Sequence, residues 1–177
     1  VIHGGGVYGD KEETIKRWCD NYRKLSMKVK RRLVLENCEK SYSIKDCLRI
    51  SEITGIPIVF DTHHFECYKL LHPDETFLDA SDYIPLILET WKASGIKPKF
   101  HVSEQGSGRC GHHSDFIEEL PKYMLEIPEK YNTNIDIMIE AKKKELAIFK
   151  LYKKYPKLNC KKRMIFKINN KIVKTIQ

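Results

Sequence analysis

Apolar residues in this chain gather into short runs, and each run ends in an acid or an imidazole. Ile56-Pro57-Ile58-Val59-Phe60 leads into Asp61-Thr62-His63-His64. Arg32-Leu33-Val34-Leu35 leads into Glu36-Asn37, and Pro98-Lys99-Phe100 into His101-Val102-Ser103. Ile135-Asp136-Ile137-Met138-Ile139 ends in Glu140, and the chain opens on Val1-Ile2-His3. Continuous apolar runs of this length read as strands buried on both faces of a parallel sheet. Between them lie stretches of helical period. Asp10 and Glu13 open a helix from Lys11 to about Leu25, with Ile15, Trp18, Tyr22 and Leu25 on its core face. Ser43 and Asp46 have capping-box spacing for a helix over Ile44–Thr54, which Gly55 stops. Asp82 and Pro85 open a helix to about Lys92, and Lys142 to Tyr155 reads as a lysine-rich helix with Leu146, Phe149 and Leu151 as its apolar contacts.

The remaining stretches read as loops. Residues 62–76 are expected to form the longest irregular loop of the first half. Glu104–His112, rich in glycine, is expected to be mobile, with Asp115 opening a short helix beyond it. Pro121 and Pro128 predict an irregular helix before Asn132. Met164–Ile168 and Lys171–Ile176 flank Asn169-Asn170 and read as a hairpin with one basic face.

The five strand-end groups His3, Glu36, Asp61, His101 and Glu140 lie 33, 25, 40 and 39 residues apart. A strand, its crossover helix and loops need about 30 residues. The pattern is therefore successive β/α units of a TIM-type (β/α)8 barrel, whose active site lies at the C-terminal rim of its strands. A complete barrel takes ~250 residues. A chain of 177 residues with one strand stub and four strands reads as the last five strands of one. Residues 1–155 make the barrel part and 156–177 a basic tail. Open barrel edges invite self-association.

Charge sharpens the division. The net charge is +8, and residues 156–177 hold Lys157, Lys161, Lys162, Arg163, Lys167, Lys171 and Lys174 with no acid. Such a tail suits nucleic acid, or serves as solvated surface. The six cysteines form no CxxC pair, which argues against a zinc ribbon or a disulfide framework and points to an intracellular, non-secreted setting, in cytoplasm or nucleus. No apolar run approaches the ~20 residues that span a bilayer.

Mixed carboxylates and imidazoles suit manganese, iron, zinc or cobalt better than calcium. Glu36 and Glu140 are placed to bridge ions, and two or three clustered metals are a device for phosphodiester hydrolysis. His64 is the better ligand beside Asp61, with His63 orienting a neighbour. Lys99 shares the inward face with His101 by strand alternation, where it contacts phosphate, sits deprotonated, is chemically modified, or stands as an ordinary lysine at the strand's solvent end. Arg109 is a candidate phosphate contact in the glycine-rich loop.

Taken in order, Leu35-Glu36-Asn37, Phe60-Asp61-Thr62-His63-His64, Lys99-Phe100-His101-Val102-Ser103, His113-Ser114-Asp115 and Met138-Ile139-Glu140-Ala141-Lys142 resemble the ultraviolet damage endonucleases. The resemblance covers residues 1 to about 150. It implies a TIM barrel related to endonuclease IV, and metal-dependent nicking of double-stranded DNA 5′ to ultraviolet photoproducts, typically with manganese. It implies metal ligands at His3, Glu36, Asp61, His64, His101, His113 and Glu140. The catalytic set becomes Lys99, Glu36 and Glu140, with Lys99 matching an active-site lysine that can be carboxylated, and DNA contacts fall to Arg109, Lys161, Lys162 and Arg163. Cys38 stands where the family usually has an acid, and Gly4 where it has a proline. The family's first three strands, with further histidine ligands and the residues that probe damaged bases, have no counterpart here. Two other readings stay open: a barrel sugar isomerase, and a non-catalytic DNA-binding fragment.

Overall fold

The computed structural model describes residues 1–159, 166–168 and 171–173. Five strands form one parallel sheet: β1 (Ile2–His3), β2 (Leu35–Glu36), β3 (Ile58–Asp61), β4 (Lys99–Val102) and β5 (Asp136–Ile139). Their spatial order is their chain order. A doubly wound sheet reverses its order at a switch point; an arc that never reverses, with helical crossovers, is a wedge of a (β/α)8 barrel.

Register assigns the two faces. Glu36 pairs with Val59, Asp61 with His101, Lys99 with Asp136, and His101 with Met138. Side chains alternate along a strand, so these residues share the concave face. Leu35, Ile58, Phe60, Phe100 and Val102 occupy the other face and are buried in the core. Helices α1 (Lys11–Lys24), α3 (Ile44–Thr54) and α5 (Ala80–Trp91) supply Ile15, Tyr22, Ile44, Ile50, Ile84, Ile87 and Trp91 to that core, while the one-turn α2 (Met27–Lys30) buries none of its residues. Trp91 also works at the sheet margin. Its indole N–H donates to the Ile58 carbonyl at 2.7 Å, and Thr90 Oγ1 accepts from the Ile58 N–H at 3.0 Å. Replacing Trp91 by Phe leaves a buried carbonyl without its donor, and chemical denaturation should show a loss of about 1–3 kcal/mol.

Helix signals behave as expected at three termini. Asp10 accepts from the Glu13 N–H, Ser43 and Asp46 complete a capping box, and Gly55 closes α3 at φ 74°. Elsewhere the structure departs from the sequence expectations. The expected loop over 62–76 is largely α4 (Thr62–Leu71). Its apolar residues are spread round the helix rather than gathered on one face, with Leu70 and Leu71 exposed, so no helical period announces it; Asp61 caps its first turn, and Phe65 and Tyr68 are buried. Helix α5 starts at Ala80 and carries Pro85 within it, held by the packing of Tyr83, Ile84 and Ile87. Helix α6 (Lys122–Lys130) is likewise continuous through Pro128. Asp115 opens no helix: the Ser114 and Asp115 carbonyls accept from the N–H groups of Lys142 and Lys143, which clamps this stretch to the chain leaving β5. Helix α7 (Glu145–Lys154) begins three residues late, after a turn in which Lys144 has φ 45°. Its buried contacts are consequently Ala147 and Leu151, while Leu146 and Phe149 face solvent; Leu25 is exposed at the end of α1.

Two short strands, β6 (Phe166–Ile168) and β7 (Lys171–Val173), pair antiparallel. Lys161, Lys162, Arg163, Lys174 and the turn Asn169-Asn170 lie outside the described residues. Among the described residues, no helix is long and apolar enough to cross a membrane.

A candidate metal centre at the rim of the sheet

The C-terminal ends of the strands converge on His101. Its Nδ1 lies 2.8 Å from a Glu36 carboxylate oxygen and 2.8 Å from a Glu140 oxygen. Glu36 comes from β2 and Glu140 follows β5, so the imidazole joins carboxylates from both sides of its own strand. Donor atoms of Glu36, Asp61, His101 and Glu140 all lie within 4.8 Å of one another. A second group, His3, Glu36 and His64, meets the same limit and shares Glu36. His3 Nε2 is 3.5 Å from Glu36, and His113 Nε2 is 3.7 Å from Glu140. All seven expected ligands thus form one connected set.

Local folding fixes the geometry. The hydrogen-bonded pairing of β2 ends at Glu36, and the Asn37 side chain extends it. Asn37 Oδ1 accepts from the Asp61 N–H at 2.9 Å, and its Nδ2 donates to the Asp61 carbonyl at 3.0 Å. Asp61 Oδ1 then accepts from the N–H groups of His63 and His64, both at 2.8 Å. That cap turns the chain abruptly from β3 into α4 and swings His64 back over the rim. The Asn37 carbonyl lies 3.1 Å from His64 Nδ1. A carbonyl can only accept, so Nδ1 is the donor in this contact. Ser103 donates to Asp61 at 3.3 Å. No motif announces the positioning by Asn37 and Ser103. Each is marked in the sequence only as a polar residue next to a strand end. Asn37→Ala should cost about 1–3 kcal/mol by stranding two buried backbone groups, and should loosen any cation held by Asp61; thermal melts with and without manganese read both.

The electrostatics are those of a cation site. Burial works to lower the His101 pKa, but the Glu140 and Glu36 carboxylates outweigh it and raise it to about 9. Conversely, the hydrogen bond from His101 holds the Glu140 carboxyl below its ordinary value, against the effect of burial. Burial lowers the pKa of His63, with Asp61 opposing, and keeps that ring neutral. Glu36, Asp61 and His101 are buried together. Within this acidic pocket His101 Nε2 is buried and has no hydrogen-bond partner.

Other expected residues stand apart. Lys99 is on the concave face, but its ammonium meets Asp136 at 2.7 Å, and Asp136 also binds Lys97. Arg109 is exposed at the tip of the Glu104–His112 loop, which is pinned rather than free: Gly106 N–H donates to the His112 carbonyl, and Gln105 bridges to His113. Cys19, Cys38, Cys47 and Cys67 are buried free thiols.

A family model described as UV-endonuclease UvdE matches residues 1–170. The UV DNA damage endonuclease of Bacillus cereus strain B4264 is 41% identical over 152 residues, 85% of this chain and 46% of the relative. A protein of Acanthamoeba polyphaga mimivirus is 40% identical over 156 residues, 88% of this chain and 46% of its own. Among solved structures, the crystal structure of SacUVDE superposes with a TM-score of 0.67 at 35% identity, covering 89% of this chain and 52% of that one. The chain spans about half the length of the curated relatives it matches.

Proposed function

The chain belongs to the UV-endonuclease UvdE family, and from that membership we propose that it is the metal-holding part of an intracellular DNA repair endonuclease. The reaction we assign is hydrolysis of the phosphodiester 5′ to an ultraviolet photoproduct in double-stranded DNA. The observation that carries this reading is the convergence of Glu36, Asp61, His101 and Glu140 at the ends of successive parallel strands.

The residues fit a divalent ion. A buried imidazole with two carboxylates at one nitrogen and nothing at the other lacks a partner, and the mixed oxygen and nitrogen donors suit manganese. Glu36, Asp61, His101 and Glu140 would hold one ion and His3, Glu36 and His64 a second, with His113 beside Glu140. A divalent ion supplies Lewis acidity and an acidified water at neutral pH. The chain's own residues do the positioning. Asn37 and Ser103 hold Asp61, the Asn37 carbonyl accepts from His64 Nδ1, and the neutral His63 packs beside both. Lys99 meets substrate phosphate in this scheme by exchanging Asp136 for it.

Residues 156–177 are assigned to the DNA backbone, with Arg109 reaching it from the loop. Deleting 156–177 should weaken duplex binding and flatten its salt dependence by ~0.9 in the log–log slope for each phosphate the tail neutralises. An unchanged slope would make those cations plain solvated surface. The outer edges of β1 and β5 carry no strand partner among the described residues. They are where further strands or a second copy would add. Nicking of a duplex with one photoproduct, with manganese and with EDTA, tests the assignment as a whole.

A further inference from the structure

Beyond the metal centre lies an open groove of about 430 Å³, lined among others by His113, Ile139, Glu140, Lys142, Lys144 and Glu145. We infer that Lys142 and Lys144 seat a backbone phosphate of the DNA strand being cut, next to the scissile one, and so position the strand over the metal centre. This rests on the endonuclease reading.

Four observations carry it. First, the groove is continuous with the site, because His113 and Glu140 belong to both. Second, the backbone of the turn that carries the lysines is tied down beside it. The Lys142 N–H donates to the Ser114 carbonyl at 2.9 Å and the Lys143 N–H to the Asp115 carbonyl at 3.0 Å, which ties the lysine turn to the segment that carries His113. Third, their charges are not used within the fold. Lys143 lies 3.7 Å from Asp115, whereas Lys142 and Lys144 have no carboxylate in ion-pair reach among the described residues, and both are exposed. The Glu145 carboxylate on the groove wall offsets one charge and leaves the turn net positive. Fourth, the position is unfavourable for cations. All three lysines precede the first turn of α7, where the helix dipole disfavours positive charge. A bound anion reverses that effect. A phosphate diester fits better than a free carboxylate ligand, since the only substrate the family membership supplies is DNA and the groove opens beside the metal centre.

The test is duplex binding by fluorescence anisotropy in EDTA, over a range of salt, for the 177-residue chain, for K142Q/K144Q, and for K28Q/R31Q. The last pair removes two exposed cations, with Arg31 beside Gly55 and Pro57 at the opposite, N-terminal end of the strands. The inference expects K142Q/K144Q to flatten the log–log salt slope by ~0.9, for the one phosphate the two lysines seat together, with K28Q/R31Q unchanged. Equal flattening in both variants, or none in K142Q/K144Q, or no duplex binding by the unaltered chain, overturns it. Manganese titration of the same proteins separates the two readings. K142Q/K144Q should bind manganese like the unaltered chain. A flattened salt slope in K142Q/K144Q, without any manganese uptake by the unaltered chain, would sink the metal-centre reading and leave the lysine assignment standing.

Discussion

Glu140→Gln, placed in a protein that carries these residues within a complete barrel, should abolish nicking of ultraviolet-damaged duplex DNA. The amide keeps the shape of the side chain, so the fold is expected to stay intact. What disappears is a negative charge beside His101, one of two carboxylates that meet that ring among the described residues. Removing residues that merely orient a ligand typically costs 10–100-fold in metal affinity or activity; removing a ligand should cost more than ~100-fold. The assay is gel-based cleavage of a duplex with one photoproduct, comparing the unaltered protein, Glu140→Gln and the 177-residue chain alone. The 177-residue chain should cut little, since it spans only about half the length of the curated relatives it matches. Robust lesion-specific cutting by Glu140→Gln would remove Glu140 from the site. The same result from the 177 residues alone would show that the site is complete without further strands.

Manganese affinity should rise with pH up to about 9. His101 binds a metal only as a neutral ring, and its two carboxylates raise its pKa to about 9. Below that value a proton competes, so each pH unit costs about tenfold in affinity through this one group. In the metal-free chain the sign is opposite. The folded pKa lies above the ordinary value near 6.5, so the charged ring contributes stability that is fully present below about pH 6.5 and is lost as pH rises through 9. Melting temperatures with EDTA should therefore fall over that window while the increment due to manganese grows. A manganese increment that does not change from pH 6 to 9 would show that no proton leaves the site on binding, and would exclude His101 as a ligand.

The barrel wedge was legible because apolar strands and their terminal acids and imidazoles recur at a spacing that suits β/α units. His3, Glu36, Asp61, His64, His101, His113 and Glu140 came from that spacing and from family resemblance together, and the sheet brings them within reach of one another. The barrel sugar isomerases are not the family the chain matches. What escaped was set by tertiary packing. Helix α4 hid because its cap is Asp61, a residue already read as a ligand, and one carboxylate serving both purposes leaves no separate mark. Lys99 was correctly placed on the concave face, but alternation cannot foresee Asp136 as its partner 37 residues on. Leu146 and Phe149 were read as core because the turn at Lys144, with its positive φ, shifts the start of α7 and with it the buried face. Asn37 stood beside a recognised strand end, yet its pairing with the Asp61 backbone exists only once β2 and β3 are adjacent.

Because Asp61 Oδ1 is committed to two amide protons, ion occupancy and the winding of the first turn of α4 are parts of one equilibrium. The amides of His63 and His64 are consequently built-in reporters. Their hydrogen exchange should slow as the centre fills and quicken as it empties, well before any global unfolding. Backbone isotope exchange at two adjacent residues can thus follow loading of the centre in any protein that keeps this strand-to-helix corner, without a coloured metal and without substrate.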